Sequence, residues 1–560
     1  MTVLRLAAAA LASALAAGTL VLAPTAASAS SDQVWTGGGD GTSWSDGQNW
    51  QSMSVPQNGD SVTIPAVNFP ARTVVTGMPS GTQLQDLTLT DASLSGGDAT
   101  VAGDFSWSVS QGFEILGSPL TVAGNASFSG AGERDSQAPM TFDGNTDIAG
   151  PGLLSIQNTG PAITNSGTLT LEPGAVVRAS VCCVTPDEFI NNGTVAVPAS
   201  GTATVAFMGF HDQGSVSVGP GGLLDIGGGP GVFGAGAGLG GGGTLQFDQG
   251  AAITLAPHVS IAAGSTMLLT GNAQFLGAGS FTGGGKFSWT GGTIDGNLGV
   301  ASTIHTTISG KAIKTFTSPT SKPMALTLRG GTTLRGPGEV ELSGATTLSN
   351  LGTLTMGPGT TVGASVCCVH PDHFSNGGTL IVAAGTKTAT ATNLAFSNSG
   401  TVKITGGTFF ANTLSYKQAA GATQLAGGAL SAAQPIDIAG GTLSGFGTIT
   451  GSVQNAGRVS PSTTGGVLKI TGAYQQTKTG VLTSVLTGTS PGTKFGQLSV
   501  RGKATLDGTL KVSPGNGFNP HGKSFSVLLY KSRSGKFATL SGSPAYTVSY
   551  GPAAAKAVYP

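Results

Sequence analysis

Two adjacent cysteine pairs are the residues of this chain most open to covalent chemistry. Cys182-Cys183 and Cys367-Cys368 are its only cysteines, and each pair sits in Ser-Val-Cys-Cys-Val-x-Pro-Asp-x-Phe. In an oxidising compartment such thiols form disulfides. The pairs are 185 residues apart, from 182 to 367. In a coiled rod with about 20–25 residues per coil and about 4.8 Å per rung, that distance becomes roughly 40 Å, whereas bridged Cα atoms lie within about 7 Å. A bridge between the pairs is therefore excluded unless the rod folds back. Three readings stay open. Adjacent cysteines can close a strained vicinal ring, since their Cα atoms are about 3.8 Å apart. They can stay apart, one buried and one exposed across a strand. They can also bind metal with His370, Asp372 and His373, although the first pair has Thr185, Asp187 and Glu188 at the matching places. Sulfur is what the two sites share, so local disulfides, Cys182–Cys183 and Cys367–Cys368, are the expectation, with no metal or other cofactor.

Other chemistry finds less support. Polysaccharide lyases and glycoside hydrolases need clustered carboxylates, and Asp187-Glu188 is the only adjacent acidic pair. Asn145-Thr146-Asp147 resembles a fragment of the polygalacturonase signature, but the paired aspartates and Gly-His-Gly that accompany it are missing. None of the six histidines has the neighbours of a serine or cysteine hydrolase. The Gly-rich run from Gly227 to Gly243 lacks the Lys-Ser/Thr of a phosphate loop and reads as a loop or tight bend. Thr386-Lys387-Thr388-Ala389-Thr390-Ala391-Thr392 suggests a water-ordering Thr ladder, yet Thr is also a favourable outward strand residue. No catalytic residue is assigned.

The elements that would position these residues are strands. Gly supplies 93 of 560 residues, charged residues are only 9% and hydrophobic residues 39%. The last two figures argue against disorder, which goes with low hydrophobicity and high net charge. The 25 basic and 25 acidic residues cancel, so nothing steers the chain toward nucleic acid. Short alternating runs such as Thr168-Leu169-Thr170-Leu171 and Ser215-Val216-Ser217-Val218 recur between Gly- or Asn-bearing turns. Period two marks strands with one buried side. A large unit is duplicated: Phe105-Ser106-Trp107 returns as Phe287-Ser288-Trp289, Gly150-Pro151-Gly152 as Gly336-Pro337-Gly338, and Gly167-Thr168-Leu169-Thr170 as Gly352-Thr353-Leu354-Thr355. A fainter echo links 275–283 to 442–451. With no linker and mostly small apolar residues, a β-solenoid is expected rather than a string of sandwiches.

Both ends differ from the middle. Met1 to Arg5, the apolar Leu6 to Ala23 and Ala27-Ser28-Ala29 read as a secretory signal, removed before Ser30. No later run is long enough to span a bilayer, and no lipid or sorting signal is recognisable at the C-terminal end. Trp35, Trp44 and Trp50 cluster among turn residues in 30–65, as a stack end needs; a Trp-based sugar platform is the rival reading. Longer apolar strands after 452 suggest a second closing element.

The pattern Trp35…Trp44…Asn49-Trp50…Val55-Pro56…Gly59-Asp60 resembles the N-terminal cap of autotransporter-like bacterial β-helix proteins. Leu443-Ser444-Gly445-Phe446-Gly447-Thr448-Ile449-Thr450-Gly451 and the following Val453-Gln454-Asn455-Ala456-Gly457-Arg458-Val459-Ser460-Pro461 look like their passenger-associated repeat. The resemblance implies a right-handed parallel β-helix exposed outside the cell and transfers no catalytic residue; the outer-membrane barrel of such proteins has no counterpart here. The expected organisation is a signal peptide (1–29), N-terminal cap (30–65), first coils (66–102), copy 1 (103–284), copy 2 (285–451) and a C-terminal β-rich cap (452–560). The expected function is a secreted, monomeric structural or adhesive rod that presents a repetitive surface to extracellular polysaccharide, cell envelope or a neighbouring surface. The alternative is a polysaccharide-active or polysaccharide-binding β-helix.

Overall fold

The computed structural model describes residues 31–67, 72–158, 160–180, 187–318, 322–365 and 371–560. Its strands follow from the alternation in the sequence. Thr168–Leu171 buries Leu169 and Leu171 and leaves both threonines outside, because successive side chains leave opposite sides of a strand. Three strands make one coil. Leu87–Thr90, Ala92–Gly96 and Ala99–Val101 pass along three sides in turn, and Phe105–Ser108 then lies parallel on Leu87–Thr90. We name these sides the first, second and third faces, in that order.

The first face is one parallel ladder of 23 strands, from Asp32–Val34 to Ser532–Gly535. At about 4.8 Å per rung it is about 105 Å long. Along the first face, coil length varies from 17 residues (Ile436 to Val453) to 30 (Tyr474 to Ala504). The second and third faces merge between Thr379 and Thr450, where Thr379–Thr392, Thr401–Asn412, Ala422–Ala432 and Thr442–Thr450 each run through the corner as a single strand. The protein is thus an all-β parallel solenoid. The only helix among the described residues is the 3-10 turn Gly47–Asn49.

The ladders continue without a break past residue 452, through Val453–Asn455, Tyr474–Gln476 and Lys503–Leu506. The last third-face strand, Ser524–Leu529, pairs antiparallel with Ala554–Val558, which pairs antiparallel with Thr547–Tyr550. The run Gly227–Gly243 is not the expected loop. It forms most of one coil, with strands Leu223–Gly227, Pro230–Phe233 and Gly238–Gly240; the buried Phe233 and Leu239 supply its apolar contacts with the core.

The interior is a continuous column of apolar side chains. Phe189, Phe210, Phe233, Phe247 and Phe275 follow one another with ring centroids 5.4 to 6.1 Å apart, the separation at which offset and edge contacts are favourable. At one end Trp50 packs edge-on against Trp35 (5.0 Å) and Trp44 (4.9 Å), and its Nε1 donates to the Trp44 carbonyl.

A recurring corner accounts for an Asn-x-Gly-Thr step that the sequence repeats at Asn165, Asn191, Asn350, Asn376 and Asn398. Asn165 Nδ2 donates to Asn191 Oδ1 (2.7 Å), and Asn191 Nδ2 donates to Asp212 Oδ1 (2.6 Å). In copy 2, Asn350 donates to Asn376 and Asn376 to Asn398 (2.7 Å each), and Asn398 donates to Gln418 Oε1 (3.3 Å). These buried amides point inward. Two residues on, Gly167, Gly193 and Gly214 stack so closely that a Cβ on Gly193 would collide with the Gly167 carbonyl and one on Gly214 with that of Gly193. The Phe446 ring of Gly445-Phe446-Gly447 lies half-buried against Gly427, Gly465 and Gly466, and a Cβ on Gly465 would collide with it.

The duplicated copies are out of phase by one face. Phe105–Ser108 is on the first face and its counterpart Lys286–Trp289 on the second. Leu153–Ile156 is on the second and Gly338–Ser343 on the third; Met140–Phe142 is on the third and Met324–Leu328 on the first. From Thr194, which follows Asn191, to the first-face strand holding Asn376 is eight pairings. The unit is therefore eight coils plus one face. The echo of 275–283 in 442–451 does not share this phase: Phe281 is on the first face and Ile449 on the third.

Candidate binding surface

The outer sides of the coils hold the residues available to a partner. On the first face, Thr168, Thr194, Ser215 and Gly238 form one register column, and Thr170, Ala196, Ser217 and Gly240 form the next. Two residues along a strand is about 6.6 Å and one rung about 4.8 Å, so these eight positions tile a flat, uncharged patch of small groups. Thr194 Oγ1 and Ser215 Oγ are 2.9 Å apart and share a hydrogen bond along the rod. In copy 2 the counterparts stand on the second face as Thr353/Thr355, Thr379/Ile381 and Thr401/Lys403. Duplication has turned the surface and altered it, with Ile381 and Lys403 where the first face has Ala196 and Ser217. Regularly spaced hydroxyls can donate to and accept from a repeating polymer; they carry no activated nucleophile.

The structure separates residues that adjacency in sequence had joined. Asp187 points inward and is 1% exposed, and its Oδ1 accepts from the Asn158 backbone N–H (3.0 Å); Glu188 points outward, 3.9 Å from His211 Nε2. Burial pushes the Asp187 carboxyl up to about 6, against the lowering effect of that hydrogen bond. Its counterpart Asp372 is also buried and accepts from the N–H and Oγ1 of Thr346 (2.7 and 2.9 Å), while His373 begins an outer first-face position. Neither aspartate is presented as a metal ligand, and among the described residues no group of three or more His, Cys, Asp or Glu side chains is placed to hold a metal. Asn145 and Asp147 face outward with Thr146 buried between them, and the register neighbours of Asp147 are Ser127 and Thr170, not a second carboxylate.

Cys182, Cys183, Cys367, Cys368, Thr185 and His370 lie outside the described residues. The strands before them, Val176–Ala179 and Thr360–Ala364, are on the second and third faces.

The Thr386–Thr392 run does not build a Thr ladder. Thr390 is flanked in register by Thr361 and Phe410, with Glu339 one rung beyond Thr361. The Trp-based sugar platform also fails, since Trp35, Trp44 and Trp50 are each 1% exposed and turn their rings on one another. One carboxylate pair escaped the search for adjacent acids. Glu339 and Glu341 are two apart, so they leave the same, outer side of a third-face strand. Burial and the charge of Glu341 raise the Glu339 carboxyl. The signal was the alternation Glu-Val-Glu within a strand, which an adjacency criterion passes over.

No helix among the described residues is long and apolar enough to cross a membrane. No family model matches the chain, and no curated protein matches its sequence.

Proposed function

We propose that this chain is an exported structural or adhesive rod that displays a repetitive hydroxyl surface to an extracellular polymer, such as polysaccharide or cell envelope. The observation that carries the reading is the uncharged patch Thr168–Gly240 on the first face, set on a column of buried side chains; its rotated counterpart in copy 2 keeps Thr353, Thr355, Thr379 and Thr401 beside Ile381 and Lys403. Residues 1–29 direct export, the Trp cluster closes one end of the stack, and the antiparallel pair near the C-terminal end closes the other, in the manner of autotransporter-like passengers. The rod acts as a monomer, and each cysteine pair forms its own local disulfide; a single unreduced peptide holding both cysteines of a pair supports that, and a peptide joining the pairs overturns it.

Binding of the purified protein to a panel of soluble and insoluble neutral and acidic polysaccharides tests the reading. Binding without turnover, weakened at unchanged melting temperature when Ser217→Trp obstructs the first-face patch, is the expected result. A second reading, a polysaccharide hydrolase or lyase, rests on Glu339 and Glu341, two carboxyls on one outer strand of which one is raised. Turnover that disappears in Glu339→Gln or Glu341→Gln would replace the first reading with the second.

A further inference from the structure

The two buried amide ladders differ in how they end. Asp212 stands where copy 2 has Asn398, in His211-Asp212-Gln213-Gly214-Ser215 against Ser397-Asn398-Ser399-Gly400-Thr401. Besides longer hydrogen bonds of 3.3–3.4 Å from Asn165, Asn191 and Asn376 to the glycine carbonyl two residues on, each ladder amide makes two others through Nδ2. It donates along the ladder to the next side chain, and it donates to the carbonyl at the start of a neighbouring strand. Asn165 donates to Thr194 O, Asn191 to Ser215 O and Asn398 to Ala422 O, all at 3.1 Å. Thr194, Ser215 and Gly238 are in register on successive coils, so the next acceptor in the copy 1 series is the carbonyl of Gly238.

Asp212 has no amide with which to reach it. Its Oδ1 accepts from Asn191, while Oδ2 is buried without a partner. The next coil offers Phe233 at the ladder position, so no donor comes from above. An ionised Oδ2 would meet a carbonyl oxygen; a protonated one would donate to it, as the Asn398 amide does to Ala422. We propose that the copy 1 ladder is closed by a protonated Asp212 whose Oδ2–H donates to the Gly238 carbonyl, so that this coil is clasped in acid and loosens as the solution becomes neutral.

The surroundings fit a neutral acid. On the strand below, Asp187 is at the opposite end and Glu188 faces outward; on its own strand His211 faces outward. Pro230–Phe233 above and the neighbouring first-face strands Ser215–Val218 and Gly238–Gly240 contain no titratable group. No cation compensates the charge. Burial pushes the carboxyl up to about 6, against the lowering effects of the Asn191 side chain and the Gly214 N–H. A folded value above the unfolded one stabilises the protein below the unfolded value, and the gain is lost as pH rises through the folded value.

Hydrogen exchange of the full chain, corrected for intrinsic rates, tests this on peptides covering 209–218. Between pH 5 and pH 8 their opening equilibrium is expected to rise about tenfold in the wild type and to stay flat in Asp212→Asn. Asn398→Asp should bring the same pH dependence to the coil around residue 398. A wild-type change of less than about twofold, or an Asp212→Asn protein that keeps the wild-type profile, overturns the proposal. If Asp212→Asn does not accumulate, Asn398→Asp decides, and a flat profile there also overturns it. The outcome is independent of what the rod binds.

Discussion

Arg134 and Lys314 fill the same buried niche in the two copies. Each follows a Ser-Gly turn, Ser129-Gly130 and Ser309-Gly310, and each turns inward to donate to those two carbonyls. Lys314 also reaches the Ala312 carbonyl (2.7 Å). The glycine of the next coil makes room for the cation: a Cβ on Gly152 would collide with Arg134 Nη2, and one on Gly338 would lie 2.6 Å from Lys314 Nζ. Neither cation has a carboxylate partner, and burial lowers both.

Removing this cation strands buried carbonyls. Lys314→Ala is expected to cost about 3 kcal/mol. Lys314→Arg, the residue already used in copy 1, should cost less than about 1 kcal/mol. Urea unfolding of the three proteins checks the order.

The stacked corner glycines should be far less replaceable than glycines on the flat faces. Gly193→Ala places a Cβ against the Gly167 carbonyl, whereas a Cβ on Gly240 meets nothing within 4 Å. We expect Gly193→Ala to destabilise by about 2–3 kcal/mol and Gly240→Ala to be neutral or slightly stabilising. Equal effects in thermal melts would show that the corner can relax.

All five tryptophans are 1% exposed or less. Emission should be blue-shifted and insensitive to iodide. Trp50→Ala removes the ring shared by Trp35 and Trp44 and should cost about 3–5 kcal/mol. The loss should show in hydrogen exchange over 31–64 and leave exchange in copy 2 unchanged.

Asp187 supplies a second, separate pH effect. Its carboxyl is raised to about 6 by burial, so its contribution is greatest below the unfolded value near 4 and is lost as pH rises through 6. Asp187→Asn keeps the acceptor for the Asn158 N–H and removes the titration. The variant should be more stable than wild type at pH 8, by on the order of 1–2 kcal/mol, and should lose that advantage at pH 4.

The 23-rung ladder fixes the particle shape. Small-angle scattering should give a maximum dimension near 105 Å, and far-UV dichroism should show strands with almost no helix. A globular radius of gyration would contradict the stacking described above.

Alternation and repetition made much of this legible from residues alone. Thr168-Leu169-Thr170-Leu171 declares its buried side, and the recurrence of Phe-Ser-Trp announces the duplication. The amide ladders were within reach too, because Asn165, Asn191, Asn350, Asn376 and Asn398 each open an Asn-x-Gly-Thr step, spaced by about one coil within each copy. They went unread because Asn beside Gly also marks an ordinary turn. The Arg134/Lys314 niche was hidden for another reason: its parts sit on successive coils, and which residues are adjacent across coils depends on coil lengths that vary from 17 to 30 residues along the first face. For the same reason a run of glycines from 227 to 243 could pass for a bend while making three strands.

Eight coils and one face is a frameshift written in three dimensions. A duplicated segment that is not a whole number of coils would ruin a solenoid whose sides had distinct tasks in holding the core. Here the inserted copy slid by a third of a turn and still closed, so the three sides obey one grammar: any strand of the unit can be set against either of two others. A fourth copy, after three such shifts, would return to the original heading, as three single-base insertions restore a message. With two, the rod presents related rows of outer residues in two directions, a third of a turn apart.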